Sequence, residues 1–322
     1  MRAFLTGGSG FIGGHLIEAL LAEGWSVTAL VHRSPVPDAG KVEAVNGDIT
    51  DAGALAAGIK GADVVFHLAS ALGGSLIGRR EFFRINASGT RAVLEAARRA
   101  GGPRILHVSS AGVFGRVREG EVAGEDSPAR PILAYDHAQL AGEKAAMEAA
   151  TAGTDVVVVR PGWAYGPGDR RTFKLIRMVA AGPSIMATRG AARQTPVHVS
   201  DLVKGVLLAA ARGRKGEAYH LAGAQIMTAD AIVRAIAAAA GRPPARVRLP
   251  GWLAQAAALV LEGACRPLRR EPPLSRSKLS FFLDSKPLSI DKARRELGFR
   301  PAVDFEAGIR TTLDWYRENG WL

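Results

Sequence analysis

Residues 6–13 read "TGGSGFIG", with Gly7, Gly10 and Gly13 spaced three apart. Between a strand and a helix, such a loop turns sharply and approaches a pyrophosphate without side chains. It also aims helix N–H groups at the phosphates. A lone glycine triplet is as often a flexible loop; the strand–turn–helix setting is what makes this one a dinucleotide signal. Gly7, Ser9, Gly10, Phe11, Ile12 and Gly13 are the expected contacts. The second strand-like run, "SVTALVHRS", lacks the terminal acidic residue that would take the ribose hydroxyls of NAD. His32 and Arg33 stand there instead, and an arginine suits the 2′-phosphate of NADP, with NAD as the alternative. Asp48 and Ile49, in "NGDITD", are expected beside the adenine ring.

These residues need a scaffold, and the first half of the chain supplies its pattern. Short apolar runs ("AFLTG", "SVTALV", "DVVFHLA", "RILHVSSA", "DVVVVRPG") alternate with helical segments such as "GGHLIEALLAEG" and "RINASGTRAVLEAARRAG". Valine-rich runs separated by helices predict an α/β fold, a Rossmann-type doubly wound parallel sheet covered on both faces. "TPVHVSDLVKGVLLAAAR" predicts a strand and a helix returning to that sheet, and "EAYHLAG" a further strand. From about Thr228 the chain reads as mainly helical. The dinucleotide domain is therefore expected over 1–170 plus about 195–225. A smaller, mainly helical substrate domain is expected over about 171–194 and 226–322.

The totals exclude several classes. A single cysteine, Cys265, rules out a disulfide framework and a multi-thiolate metal site. It points to a cytoplasmic setting. "MRAFLTGG" runs straight into a strand-like segment, so no secretory signal is expected. The formal charge of +12 is high, but the arginines are dispersed and aromatics sparse, so no nucleic-acid partner is expected. "GWLAQAAALVLEGAC", residues 251–265, is shorter than the ~20 residues of a membrane span, so no stable membrane insertion is expected. Its poor polar face favours a buried or groove-lining helix over one lying on a membrane surface. His67, His107 and His198 lie in strand-like runs without a cluster of carboxylates or thiols, so no metal site is expected.

Taken together, "TGGSGFIG", "GDITD", "VVFHLAS", "NASGTRAVLEAAR", "HVSSAGVFG", "AYDHAQLAGEK", "RPGWAYGPGD", "TPVHVSDLV" and "SIDKARRELGFRPAVDFEAGI" occur in order over nearly the whole chain. In this the chain resembles the extended short-chain dehydrogenase/reductases. It looks most like the reductases related to 3β-hydroxysteroid dehydrogenase and dihydroflavonol reductase. The resemblance makes Tyr135 the residue that exchanges the proton and Ser110 the one that holds the substrate oxygen, with Ser109 structural. It places Asn86 on a helix beside the site, ordering water or backbone. Leu68, Ala69 and Ser70 would line the ribose path, and Pro161 and Gly162 would lie near the nicotinamide. It also implies a homodimer.

Two positions depart from that family. Four residues after Tyr135, where the family carries a lysine that lowers the tyrosine pKa, stands Gln139. Lys144 lies nine residues on, so it points to the opposite helix face. Trp163 replaces the asparagine usual in enzymes acting on nucleotide sugars. Indole offers one donor and much apolar surface, which turns the expectation toward an apolar small-molecule substrate. The leading expectation is NADPH-dependent reduction of a carbonyl, or the reverse oxidation. The alternatives are an epimerase, dehydratase or lyase that recycles its cofactor, and a catalytically weak NADP-binding protein. A unit charge ~4 Å from the phenol is worth ~4 kcal/mol at a surface-like dielectric, so its loss costs a few powers of ten in proton abstraction. Gln139→Lys should therefore raise the rate of alcohol oxidation at neutral pH and move its alkaline limb to lower pH. A pH–rate profile checks this, and an unchanged rate and profile would refute the role given to the lysine.

Overall fold

The computed structural model describes residues 1–72, 76–180, 185–187, 190–243, 247–265, 267–268 and 270–322. In chain order the first half runs β1 (Arg2–Thr6), α1 (Phe11–Ala22), β2 (Ser26–Val31), β3 (Val42–Asn46), α2 (Ala52–Ile59) and β4 (Val64–His67). Then come α3 (Arg79–Phe83), a π-helical turn (Arg84–Ser88), α4 (Gly89–Arg99), β5 (Arg104–Val108), α5 (Ala134–Thr151) and β6 (Val156–Pro161). The second half holds β7 (Trp163–Tyr165), α6 (Arg170–Ala180), β8 (Ile185–Ala187), β9 (Arg193–Gln194), β10 (Pro196–His198), α7 (Val199–Arg212) and β11 (Ala218–Leu221). It closes with β12 (Met227–Thr228), α8 (Ala229–Ala239), β13 (Val247–Leu249), α9 (Gly251–Cys265), α10 (Arg276–Leu283), α11 (Asp291–Leu297) and α12 (Phe305–Glu318).

Seven strands form one parallel sheet in the order β11-β6-β5-β4-β1-β2-β3. The chain leaves β1 toward β2 and β3, then crosses back to β4, so the order reverses between β1 and β4. The pleat explains the continuous apolar runs. Val157 and Val159 enter the core shared with Leu16, Ile17 and Leu20 of α1 and Leu202 and Val206 of α7. Val156 and Val158 enter the core shared with Leu55, Val93, Ala145 and Ala146 on the opposite face. A strand buried on both faces has no polar side to alternate with.

The C-terminal part is mainly helical. Its core joins Ile176 and Val179 of α6, Ile232 and Ile236 of α8, and Ile309, Leu313 and Tyr316 of α12 around Tyr165. Two sequence expectations are corrected here. The "TPVHV" strand, β10, pairs with β7 in a separate two-stranded sheet and does not return to the main one; only its helix, α7, does. The edge of β6 is already occupied by β11. The helix of "GWLAQAAALVLEGAC", α9, is not a buried helix, since only Ala254 and Ala258 are buried.

Candidate active site

The reversal between β1 and β4 opens a crevice at the carboxyl ends of the strands, the usual ligand position in such sheets. Gly7 lies in it with φ +79°, and a Cβ there would stand 2.7 Å from the Ala69 backbone nitrogen. The β1 and β4 loops therefore cross backbone against backbone, which only glycine allows. A Cβ on Gly13 would stand 2.2 Å from the Gly7 carbonyl oxygen, so α1 also begins in contact with the loop. Gly10 caps α1 without a side-chain hydrogen bond, and no acidic residue occupies the first turn. The first N–H groups of α1 are left to an anion. The residues present fit a dinucleotide pyrophosphate. Ser9 is exposed and Phe11 and Ile12 half-buried around this loop.

At the far end of the crevice His32 is half-exposed and Arg33 exposed. Asp48 is already engaged: Arg84 Nη1 donates to it at 2.7 Å, and Thr50 donates from its hydroxyl and its backbone. The Arg84 guanidinium holds the Asp48 carboxyl well below the usual carboxylate range. His32 Nε2 stands 3.9 Å from Asp48. Ile49 is buried against Gly89 of α4, with little surface left for an adenine ring. Sequence reasoning missed Arg84, which sits on the π turn, 36 residues from Asp48.

A buried hydrogen-bond chain fixes the β4 loop. Thr90 donates to the Asn86 carbonyl oxygen at 2.7 Å, so it accepts from His67 Nε2 at 2.9 Å. His67 Nδ1 then accepts from the Thr6 hydroxyl at 2.7 Å, and Thr6 accepts from the Ala69 backbone N–H at 3.3 Å. The direction of every proton follows from the last acceptor being a carbonyl. Burial depresses the His67 pKa, keeping the ring neutral as the chain requires. Asn86 clamps Ala71 from the other side, accepting its N–H at 2.7 Å and donating to its carbonyl at 3.2 Å. Asn86 is thus committed to backbone, and its action on the site runs through the loop it holds. Leu68, Ala69 and Ser70 are half-buried along the crevice.

Ser110 and Tyr135 come from β5 and α5 and meet over this loop. Ser110 Oγ accepts the Gly112 N–H at 3.0 Å, and its own proton is given to the Tyr135 phenol. Burial pushes the Tyr135 phenol above its ordinary value. The charge of Arg171 and hydrogen bonds from Ser110 and Ser70 oppose that rise. Gln139 is 4% exposed, and its Oε1 stands 3.5 Å from Ser70 Oγ. Ser70 therefore lies between Tyr135 and Gln139. Lys144 is exposed, as its helix position required. Arg171, at the start of α6, escaped the sequence reading because it is 36 residues from Tyr135 and carries no motif.

The carriage of Tyr135 is anchored two turns further along α5. Glu143 accepts from Ser109 Oγ at 2.5 Å and from Arg160 at 2.6 and 3.1 Å. Arg160 also donates to the Glu125 carbonyl at 2.8 Å and lies over the Phe114 ring. This buried pair ties α5 to the ends of β5 and β6 and gives Ser109 its structural role. Pro161 is buried, and a Cβ on Gly162 would stand 2.3 Å from the Thr195 carbonyl oxygen. Trp163 packs on Phe281 of α10 at 4.9 Å and stacks on Tyr165. His67 and His107 are buried ring against ring at 5.2 Å. Burial pushes His107 down to about 4. Among the described residues no group of three His, Cys, Asp or Glu is gathered around a metal-sized space.

The match to known proteins follows this geometry. Residues 3–222 match the NAD dependent epimerase/dehydratase family. This chain belongs to that family. It is 33% identical over 319 residues to the 4-hydroxy-2-methyl-3-oxo-4-farnesyl-3,4-dihydroquinoline-1-oxide ketoreductase of Stigmatella aurantiaca, covering 96% of this chain and 95% of that one. It is 30% identical over 338 residues to a putative dihydroflavonol 4-reductase of Synechocystis, covering 99% and 95%. A dTDP-glucose 4,6-dehydratase from Streptomyces venezuelae, solved with NAD bound, superposes with a TM-score of 0.80 at 29% identity over 100% and 98% of the two chains. Family membership accounts for the dinucleotide crevice, and the family holds reductases and dehydratases alike.

The Glu143–Arg160 pair gives a stability prediction. Both side chains are nearly fully buried, at 5% and 11% exposure. Glu143→Leu leaves the guanidinium unpaired and should cost ~3–5 kcal/mol. Thermal or urea unfolding measures it; a loss under ~1 kcal/mol would show that the pair does not anchor α5.

Proposed function

We propose that this protein is an NADPH-dependent reductase of a carbonyl carbon on an apolar small molecule. The observation that carries the reading is the meeting of Ser110 and Tyr135 over the crevice, with the phenol held in its neutral form by burial. A neutral phenol is a proton donor, which carbonyl reduction needs. A phenolate is a base, which alcohol oxidation needs. The nicotinamide, when bound, supplies the hydride.

The chain's own residues do the rest. The Ser110 proton, shared with the Tyr135 phenol, turns to the carbonyl oxygen when substrate enters and orients it. Tyr135 delivers its proton to the same oxygen. Ser70 and Gln139 stand behind the phenol and hold hydrogen-bonding capacity without charge. The exposed Arg171 contributes the cationic field that a lysine at position 139 would supply at closer range. Gly7, Ser9, Gly10, Phe11, Ile12 and Gly13 would hold the pyrophosphate, and Pro161 and Gly162 would border the nicotinamide. The exposed Arg33, at a strand end where the sequence carries no acidic residue, supports NADPH over NADH.

The apolar substrate rests on Trp163. Its ring lies in an aromatic group with Tyr165, Phe281 and Phe305, a surface that suits apolar contact. The relative named as a ketoreductase of a farnesylated quinoline oxide supports both the reaction and the substrate class. In this reading the substrate domain comprises about 171–194 and 226–322.

Incubation with NADPH or NADH and a panel of hydrophobic ketones and aldehydes tests the reading. Consumption of NADPH in step with alcohol formation is expected. Product formed without net consumption would make the protein an epimerase or dehydratase, and tight binding without turnover a cofactor-binding protein. The raised phenol pKa also sets the pH dependence. Reduction should show no loss from tyrosine ionisation across neutral pH, whereas oxidation should keep rising into the alkaline range. Arg171→Ala removes a charge that favours phenolate, so the oxidative limb should move to higher pH. High salt should produce a shift of the same sign in the parent by screening that exposed charge. An oxidative limb that stays in place in Arg171→Ala would exclude Arg171 from the site's electrostatics.

A further inference from the structure

The helix α9 has two unlike faces. Its inner face is small: Ala254 and Ala258 pack on Leu279 of α10, beside Leu274, Phe282 and Leu283. Its outer face is apolar and open. Trp252 is 72% exposed, Leu259 59% and Val260 69%, and Leu268, just past the helix, is 68% exposed. At 100° per residue Trp252, Leu259 and Val260 share one stripe. Within the helix Gln255 and Glu262 are the polar side chains. Glu262 is turned back to α10, accepting from the Arg276 backbone at 2.8 Å and its guanidinium at 2.9 Å. An exposed apolar stripe of this kind marks an interaction surface.

The charge around it identifies the partner. Residues 242–278 contain eight lysines and arginines against two glutamates, so this segment holds +6, half of the chain's +12. The helix itself contains no lysine or arginine, so the cations stand before and after it. Among the described residues Arg276 is paired with Glu262 and Arg248 with Asp230, whereas Arg242 and Arg270 are exposed before and after the helix. We propose that the outer face of α9 seats this protein peripherally on an anionic lipid surface, with the apolar stripe among the acyl chains and the flanking arginines at the headgroups.

Three physical points support this occupant. A free interfacial helix needs its own polar face, but here the protein body covers the other side, so the poor polarity of the sequence is no obstacle. The helix is 15 residues long, and no helix of the described residues is long and apolar enough to cross a membrane, so the face rests on the bilayer without spanning it. A second copy of the chain docking face to face by two-fold symmetry would set two +6 segments against each other, which charge repulsion opposes. The seat also adjoins the site. Phe282 packs beside α9, while its neighbour Phe281 packs on Trp163.

The test is co-sedimentation of the full-length protein with vesicles of phosphatidylcholine mixed with phosphatidylglycerol, and with vesicles of phosphatidylcholine alone. Binding to the mixed vesicles is expected, weaker on the neutral ones and falling between about 0.1 M and about 1 M salt as screening grows. The double variant Trp252→Ser and Val260→Ser should bind at least about tenfold more weakly, with its melting temperature unchanged because both side chains are exposed. Should that variant fold poorly, the charge-reversal pair Arg242→Glu and Arg270→Glu should lose affinity for the mixed vesicles several-fold. Absence of binding by the parent would overturn the proposal. So would parental binding by either well-folded variant. If light scattering without lipid showed a parent oligomer dissociated by the serine variant, the face would belong to a second copy and the proposal would also fall.

Discussion

The close crossing of the β1 and β4 loops constrains the rest of the site. Gly7 touches the Ala69 backbone, and the same Ala69 N–H begins the chain through Thr6, His67 and Thr90 to the Asn86 carbonyl. Asn86 returns to clamp Ala71. The three-residue loop that carries Ser70 is therefore gripped at both ends by groups buried beneath it. Each member of the chain has one donor role and one acceptor role to fill, so the arrangement is satisfied in a single sense. The cofactor path and the tyrosine surroundings share that fixed segment.

The π turn extends the constraint to α5. Its Asn86 carbonyl accepts from the Thr90 hydroxyl, and a Cβ on Gly142 would stand 2.2 Å from that oxygen. The helix bearing Tyr135 thus meets the π turn on one side and the Arg160–Glu143–Ser109 group on another. Tyr135 is held by contacts at both ends of this stretch: its ring packs edge-on against Phe82, Asp136 accepts the Leu133 N–H at the helix start, and Glu143 anchors the helix two turns on. Charge is used sparingly in this frame. The buried Glu143 and Arg160 are paired, and around the phenol stand the Ser110 and Ser70 hydroxyls, with the charges of Arg171 and Asp136 acting in opposite senses. Burial, the largest of these influences, raises the phenol pKa, and the proposed reductive direction rests on that.

Much of this was legible in the residues. "TGGSGFIG" requires a pyrophosphate-sized approach because its glycines are placed where a Cβ would collide. The valine runs required a sheet covered on both faces, and "AYDHAQLAGEK" required Gln139 and Lys144 to lie on different faces of one helix. These are consequences of local periodicity and backbone sterics, which neighbours in sequence decide. "TPVHV" was misplaced because a strand's period says nothing about which edge is vacant, and β11 had taken the edge beside β6. The buried alternative for "GWLAQAAALVLEGAC" failed because apolarity alone does not distinguish a core from an exposed face.

The sequence by itself therefore determined the fold class, the glycine loop before α1 and the helix on which Tyr135 and Gln139 stand one turn apart. The tertiary structure decided what those groups experience. Arg84 reaches Asp48, Arg160 reaches Glu143 and the charge of Arg171 acts on Tyr135 across separations of 36, 17 and 36 residues. Burial and electrostatic fields depend on distance through space, and no spacing along the chain encodes that distance. The same reason leaves Trp252 and Val260 open to solvent while the equally apolar Val156 and Val158 are enclosed.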